Sequence, residues 1–129
     1  MAKKILIVDD ELHTRKKLKK TLSQAGYQPV CAECAEEALD ILEDAPLPVI
    51  FLELKLPGMN GIELCRRIKQ AYPTSRVYAL TGSISAFERA ECCDAGFDDY
   101  LVKPVDRTVF LDTARDAFIT IENREENDR

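Results

Sequence analysis

Five polar side chains stand out because each ends or follows a short apolar run: Asp9, Asp10, Glu53, Thr81 and Lys103. Three carboxylates brought to one place would repel each other, and a divalent cation or an ammonium group relieves that repulsion. An all-oxygen ligand set without His or Cys favours Mg²⁺. A hydroxyl and a lysine beside a metal-bound acid neutralise and hold phosphoryl oxygens. Together these residue types predict a site that handles a phosphoryl group.

The apolar runs predict five β-strands, each followed by a helix. The predicted strands are residues 4–8, 28–32, 49–54, 76–80 and 99–102, and the predicted helices are 11–25, 35–43, 60–71, 86–95 and 106–121. This alternation implies a parallel sheet with helices on both faces. In such sheets, ligands bind beyond the carboxyl ends of the strands. The five polar side chains are therefore expected to meet at one edge of the sheet.

Each of these residues also has an ordinary structural explanation. The Asp9–Asp10 pair after a strand is often a helix cap. Thr81 alone is typical of a turn hydroxyl, and Lys103 before a proline is typical of a solvated loop. Their joint occurrence at the ends of the predicted strands favours a functional site.

Length and composition limit the function classes. The chain has 129 residues, which suits one domain, and 46% of them are hydrophobic, which is enough for a core. A net charge of −5 argues against general nucleic-acid binding. No apolar run approaches the roughly 20 residues that span a bilayer. The residues before the first predicted strand do not resemble a secretion signal, so a cytoplasmic location is expected.

The cysteines do not predict a disulfide framework or a metal site. The chain has five of them, Cys31, Cys34, Cys65, Cys92 and Cys93. An odd count and an expected cytoplasmic location both argue against a disulfide framework. A zinc site needs about four ligands, and the one histidine, His13, is interpreted as a surface residue. Small buried side chains are the favoured interpretation. For the adjacent pair on the fourth predicted helix, one thiol is expected to pack inward and the other to be exposed.

The chain resembles the receiver domains of two-component response regulators over residues 3–121. The matching stretches are "ILIVDDE" (5–11), "LPGMNGIEL" (56–64), "ALTG" (79–82) and "AGFDDYLVKPV" (95–105). The fold class expected is a flavodoxin-like, doubly wound α/β domain whose five parallel strands lie in the order 2-1-3-4-5. We expect one domain at residues 1–121 and a polar, fraying tail or linker stub at 122–129.

The resemblance also implies roles for the residues that end the strands. In such domains the first acid pair holds Mg²⁺, and here that pair is Asp9 and Asp10. The hydroxyl and the lysine that contact the phosphoryl group match Thr81 and Lys103. An aromatic residue of the fifth strand, which changes rotamer on activation, matches Tyr100.

Glu53 departs from the family pattern, in which the phosphoacceptor is an aspartate. The stretch "VIFLELKLPGMNG" aligns without a gap, so Glu53 falls on the phosphoacceptor position and beside the expected metal. Its extra methylene moves the carboxylate by roughly 1.5 Å. Because a misplacement of about 1 Å can cost a hundredfold in rate, we expect phosphorylation to be absent or very slow. The longer acid is expected to imitate the phosphorylated state partly. An engineered replacement of Asp is favoured over a natural variant, and both remain open.

The resemblance implies two interaction surfaces and a cis bond between Lys103 and Pro104. The first helix lies beside the site and docks a sensor histidine kinase or phosphotransfer protein. It carries five basic residues, Arg15, Lys16, Lys17, Lys19 and Lys20, for which a solvated face is slightly favoured and steering of an acidic partner is the alternative. The face formed by the fourth helix, fifth strand and fifth helix contacts the downstream target. Its candidate residues are Phe87, Tyr100, Val105 and Phe110, some of which are expected to belong to the core. A homodimer is possible, and no nucleic-acid or membrane partner is expected.

Three functions were weighed. The leading hypothesis is a phosphorylation-controlled switch that is not itself an enzyme, acting alone or as part of a longer protein. The second is a pseudo-receiver, an interaction module that needs neither phosphate nor metal, which Mg²⁺ binding would discriminate. A phosphatase or phosphotransferase with an aspartyl intermediate is disfavoured, because the nucleophile position holds Glu53 and no cap insertion is present.

Overall fold

The computed structural model describes residues 2–127, apart from the side chain of Phe87. The strands are β1 (Lys4–Val8), β2 (Gln28–Ala32), β3 (Val49–Glu53), β4 (Arg76–Thr81) and β5 (Asp99–Val102). The helices are α1 (Leu12–Gln24), α2 (Ala35–Asp44), α3 (Gly61–Ala71), α4 (Ala86–Ala95) and α5 (Arg107–Asn127). Strands and helices alternate along the chain as predicted.

The five strands form one parallel sheet in the order β2-β1-β3-β4-β5. This order confirms the predicted doubly wound fold. The register pairs Val8 with Leu52 and Glu53 with Leu80, so the carboxyl ends of the inner strands lie level with each other.

Side chains alternate between the two faces of the sheet and build a core on each side. Leu6 and Ile50 pack under α2 and α3, whereas Ile7 and Phe51 pack under α1 and α5. The strands are therefore buried on both faces, which explains why they are continuous apolar runs in the sequence. Within residues 2–127, no helix combines the length and hydropathy that a membrane span requires.

Local sequence signals set the ends of the shorter helices. The side chain of Asn60 caps α3 by accepting a 3.0 Å hydrogen bond from the Glu63 amide. Ser85 and Glu88 form a reciprocal capping box at the start of α4. Gly96 ends that helix with φ 101°, a left-handed conformation that glycine adopts without steric cost.

The last helix is longer than predicted, because α5 continues through Asn127 and not to residue 121. The predicted helix end at residue 121 is therefore wrong, while the fraying of the polar tail stays a prediction, and residues 128–129 lie outside the described part. The additional turns begin where Ile121 packs partly buried against the core beneath α5. Glu122 then pairs with Lys3 at 3.5 Å, so the polar segment keeps a contact with the start of β1.

Gly61 allows the start of α3 to lie directly against the end of β3. Its amide donates a 2.8 Å hydrogen bond to the carbonyl oxygen of Leu54. A Cβ atom at this position would overlap the carbonyl oxygen of Glu53 and lie 2.8 Å from Leu52 Cδ1. The absence of a side chain at Gly61 thus lets the start of α3 pack against the backbone of Glu53, the residue that ends β3.

We predict that Gly61→Ala lowers the free energy of unfolding by about 1–3 kcal/mol, the range for overpacked interiors. The reason is that backbone atoms, which cannot rotate away, must shift to admit the new methyl group. Urea denaturation measures the effect. Gly82→Ala is the matched control, because a Cβ at Gly82 would meet nothing within 4 Å. Equal stability of the Gly61 variant and the parent chain would contradict the close packing described.

Candidate functional site

The carboxyl ends of β1, β3 and β5 bring three charged side chains together. Asp9 follows β1, Glu53 ends β3 and Lys103 follows β5. The Lys103 ammonium nitrogen lies 2.8 Å from Asp9 Oδ2 and 3.2 Å from Glu53 Oε2. Both distances are those of ion pairs, although the angles fall outside those of regular hydrogen bonds. Two of the predicted acids and the predicted lysine therefore form one buried cluster.

Hydrogen bonds to neighbouring residues position two members of the cluster, Asp9 and Lys103. Asp9 Oδ1 accepts a 2.9 Å hydrogen bond from the Glu11 amide, while the Arg15 guanidinium donates to the Asp9 carbonyl oxygen at 2.7 Å. The Lys103 amide donates to the Thr81 carbonyl oxygen at 2.7 Å. The bond between Lys103 and Pro104 is cis, as the resemblance implied.

Burial sets the electrostatics of the cluster. The Asp9 side chain is fully buried, that of Glu53 is 10% exposed and that of Lys103 is 16% exposed. Burial raises the pKa of Glu53 above its usual value, against the opposing charge of Lys103. Burial alone would lower the pKa of Lys103, but Asp9 and Glu53 outweigh it and raise that pKa. The lysine is therefore the fixed positive charge of the site.

The donor set fits a cation only in part. Asp9 Oδ2 and Glu53 Oε2 are buried and accept no hydrogen bond in the described structure, so both have free capacity toward a cation. Asp10, the third predicted ligand, is exposed. Within residues 2–127, no three His, Cys, Asp or Glu side chains are placed as a ready ligand group. The ammonium of Lys103 offsets one of the two negative charges of the buried acids.

Thr81 lies at the site, but its hydroxyl points elsewhere. The residue is buried at the end of β4, and Thr81 Oγ1 donates a 2.7 Å hydrogen bond to the carbonyl oxygen of Ser83. The predicted contact of this hydroxyl with a phosphoryl group would require it to leave Ser83. The carbonyl oxygen of Thr81 nevertheless positions Lys103.

The predicted output face contains two residues that belong to the core. Val105 is 8% exposed and Phe110 is fully buried beneath the sheet, so these two are the candidates that belong to the core and not to the contact surface. Tyr100 is half-buried and lies under the Arg89 guanidinium, 5.0 Å from its ring centroid. The side chain of Phe87 lies outside the described part of the structure.

The cysteines follow the structural interpretation in most respects. Cys65 and Cys92 are buried and Cys93 is exposed, which confirms the prediction for the adjacent pair. Cys31 and Cys34 are half-buried and unbonded. Burial raises the pKa of the Cys65 thiol to about 12, so this cysteine is unreactive as a thiolate at neutral pH.

Two site residues were missed by the sequence reasoning. Glu11 Oε1 lies 3.5 Å from the Lys103 nitrogen, and Arg15 holds the backbone of Asp9. Glu11 directly follows the acid pair in the matching stretch "ILIVDDE", and this position is the signal that points to it. A cleft of about 390 Å³ beside the cluster is lined in part by Glu11, Lys103 and the exposed His13.

Comparisons with known proteins agree with one another. Residues 5–115 match the family described as the response regulator receiver domain. The response regulator MprA of Mycolicibacterium vanbaalenii is 36% identical over 104 residues, which cover 81% of this chain and 45% of MprA. The chain therefore spans less than half the length of this relative.

Solved structures give the same result. A CheY-like receiver domain protein from Methanospirillum hungatei superposes with a TM-score of 0.92 at 29% identity, covering 96% of this chain and 99% of that one. The chemotaxis protein CheY4 of Vibrio cholerae gives a TM-score of 0.87 at 28% identity, covering 91% of this chain and 99% of that one. NtrX from Brucella abortus gives 0.91 at 28% identity, covering 99% of this chain but 29% of NtrX.

We predict that Lys103→Met lowers the free energy of unfolding by about 3–5 kcal/mol at neutral pH, because it leaves two buried carboxylates unpaired. Without Lys103, the already raised pKa of Glu53 rises further, so acid protonates this carboxyl more readily. The deficit is therefore largest at neutral pH and shrinks as the pH falls. In the parent chain, Lys103 has a raised pKa and stays charged in the folded state. Its contribution to the free energy of unfolding is therefore lost only when the pH exceeds the ordinary lysine range.

Urea denaturation of the parent and the Lys103→Met variant, repeated from about pH 4 to about pH 8, checks this prediction. Lys55→Met is the matched control, because Lys55 is exposed two residues beyond Glu53. A deficit that stays constant or grows toward acid pH would contradict the role given to Lys103.

Proposed function

Since this chain belongs to the response regulator receiver domain family, we propose that it is a phosphorelay switch whose phosphoacceptor position is held by Glu53. Receiver domains are signalling switches and not enzymes, and response regulators interact with histidine kinases and downstream targets. The finer proposal is that Glu53 blocks phosphorylation and partly replaces its effect.

The observation that carries this proposal is the ion pair between Glu53 Oε2 and the Lys103 nitrogen at 3.2 Å. In the proposed function, Lys103 is the cation that meets the phosphoryl group. Here the carboxylate of Glu53 already reaches it from the end of β3. The same lysine also holds Asp9 at 2.8 Å, so its charge is shared between two acids before any phosphoryl group arrives.

Reach explains why Glu53 should be a poor acceptor. Its carboxylate lies roughly 1.5 Å further from the backbone than that of an aspartate. Gly61 and the backbone of Leu54 fix the end of β3, so the strand cannot retreat to compensate for the extra length. In-line transfer to the side chain is therefore expected to lose about a hundredfold or more in rate.

The imitation of a phosphoryl group should be partial. A carboxylate carries one charge, whereas a phosphoryl group carries about two and offers three acceptor oxygens. Glu53 engages Lys103, but the hydroxyl of Thr81 remains on Ser83. In this proposal, Glu53 therefore supplies the lysine contact of the active state without the threonine contact. Tyr100, the proposed switch residue, depends on both.

Mg²⁺ is the proposed cofactor, with Asp9, Asp10 and Glu53 as the residues that would hold it. Its chemistry would be to neutralise phosphoryl oxygens during transfer. The free acceptor capacity of Asp9 Oδ2 and Glu53 Oε2 supports a cation at this position. Asp9 is anchored by the Glu11 amide, and exposed Asp10 can meet the ion from solvent.

The proposed partners follow from the family. A sensor histidine kinase or phosphotransfer protein would dock beside α1, and a downstream target would use the face formed by α4, β5 and α5. On that face, Val102 and Val109 are exposed, at 52% and 49%, and replace the buried Val105 and Phe110 as candidate contacts. We place this activity in the cytoplasm. Two arrangements fit this proposal: a domain that acts alone and a domain within a longer response regulator.

A second candidate function is a pseudo-receiver that signals through protein contacts alone. The observation that favours it is that Lys103 forms ion pairs with both buried acids without a metal, while Asp10 is exposed. A domain locked in this way needs neither phosphate nor Mg²⁺.

We predict that Glu53→Asp gains one phosphoryl group on incubation with acetyl phosphate and Mg²⁺, whereas the parent chain gains none in the same time. The shorter acid restores the position needed for attack, which is worth about a hundredfold or more in rate. Intact mass spectrometry counts the groups. Glu53→Gln is the control for modification elsewhere. Equal labelling of the parent and Asp chains would reject the proposed role of Glu53, and labelling of neither would favour the pseudo-receiver.

We further predict that the parent chain binds Mg²⁺ and that Asp10→Asn weakens this binding by at least about tenfold, the loss that removal of even an outer-shell partner produces. Mg²⁺ titration followed by backbone amide NMR shifts measures both affinities. Asp44→Asn is a control of equal charge change, since Asp44 is exposed at the end of α2. Shifts that are absent, or equal in all three proteins, would remove the metal from the proposal.

A further inference from the structure

Helices α1 and α2 carry opposite charges of equal size. The basic residues of α1 are Arg15, Lys16, Lys17, Lys19 and Lys20, and the helix has no acidic residue. The acidic residues of α2 are Glu36, Glu37, Asp40, Glu43 and Asp44, and the helix has no basic residue. The domain therefore carries five positive charges on α1 and five negative charges on α2.

Most of these charges are exposed and lack a partner in their own chain. The four lysines of α1 and all five acids of α2 are exposed. Among residues 2–127, the ion pairs include only Arg15 from these two helices, which contacts Glu33 at 3.4 Å. The helices have thus not neutralised each other within the monomer.

The two helices flank the same edge of the sheet from opposite faces. Strand β2 pairs only with β1 and so forms that edge. Leu18 of α1 packs in the core on one face, and Leu42 of α2 packs in the core on the other. Cys31 of β2 lies close enough to both helices for their charges to act on its thiol. Burial raises the pKa of this thiol, the charges of Lys19 and Arg15 on α1 lower it, and the charge of Glu37 on α2 raises it.

This arrangement is complementary to itself. A half-turn about an axis parallel to the strands, placed beside β2, exchanges the two faces of the sheet. It therefore sets α1 of one copy against α2 of a second copy, and α2 against α1, in one closed two-fold interface. We propose that this chain self-associates through the β2 edge, with the basic face of α1 against the acidic face of α2 in both directions.

The contact is between helices and does not extend the sheet. Pro29 lies within β2 and has no amide hydrogen, which interrupts the row of donors at this edge. Half-buried Val30, Cys31 and Leu39 supply a small apolar strip between the charged faces. Exposed ion pairs are individually weak and are screened by salt. The association should therefore be weak and strongly salt-dependent.

This inference goes beyond the proposed function and does not depend on Glu53 or on phosphate. It also gives α1 a second use, because a copy bound through α1 cannot offer the same lysines to a phosphodonor. An acidic phosphodonor and a second copy would compete for this helix.

Sedimentation equilibrium of the full chain tests the proposal. We expect the average mass to rise with concentration at about 25 mM salt, and the dimer Kd to increase at least about tenfold at about 500 mM salt. Two variants reverse one face each: Lys16→Glu with Lys19→Glu on α1, and Asp40→Lys with Asp44→Lys on α2. Each variant alone should be monomeric, and an equimolar mixture of the two should form a dimer again.

The mixture is the decisive arm, because only α1 against α2 pairing makes two repelling variants attract each other. Arg66→Glu with Arg124→Glu, on exposed positions of α3 and α5, changes the net charge as the α1 variant does. It should leave the dimer intact. Circular dichroism establishes that each variant is folded. A monomeric parent chain at low salt, a mixture that stays monomeric or equal loss in the control would each overturn the proposal.

Discussion

One ammonium group keeps two buried acids together at the carboxyl edge of the sheet. Lys103 reaches Asp9 and Glu53 within 3.2 Å, and both carboxylates are almost wholly withdrawn from water. Burying either acid without a counter-charge would cost several kcal/mol, a large share of a small domain's stability. The ends of β1, β3 and β5 therefore have to meet at this lysine. The cluster therefore constrains the fold, whatever its role in signalling.

The rest of the domain is arranged so that this meeting occurs. Parallel strands place their carboxyl ends at one edge, and the register sets Glu53 level with Leu80 beside it. At the opposite end of the sheet, Asp98 accepts hydrogen bonds from Lys69 and the Val77 amide and pairs with Arg76 at 3.0 Å. This second cluster ties α3, β4 and the segment before β5 at their other ends. Strand β5 thus lies between two charged clusters, with Asp98 before it and Lys103 after it.

Much of this could be predicted from the sequence, because strands buried on both faces are continuous apolar runs with polar residues only at their ends. The strand order, the acid at the end of β3 and the lysine after β5 followed from that pattern and from the family resemblance. Two details that the sequence did not predict depend on contacts distant in sequence. The length of α5 depends on Ile121 and Lys3, and the burial of Val105 and Phe110 depends on how α5 lies over the sheet. The direction of the Thr81 hydroxyl depends on a two-residue turn that composition does not reveal.

The substitution at the end of β3 changes the balance of the switch more than its architecture. A receiver needs its lysine to prefer one arrangement before the phosphoryl group arrives and another afterwards, and a ligand shifts such an equilibrium only by its differential affinity. In the proposed function, Glu53 already engages Lys103 before any phosphoryl group arrives, so this difference in affinity is smaller. Two side chains of the site can then still change conformation. They are Thr81, whose hydroxyl is bonded to the Ser83 carbonyl oxygen, and Tyr100, whose ring lies under the Arg89 guanidinium. Any signal that this domain carries must therefore pass through those two side chains or through surfaces, such as α1 and α2, that lie apart from them.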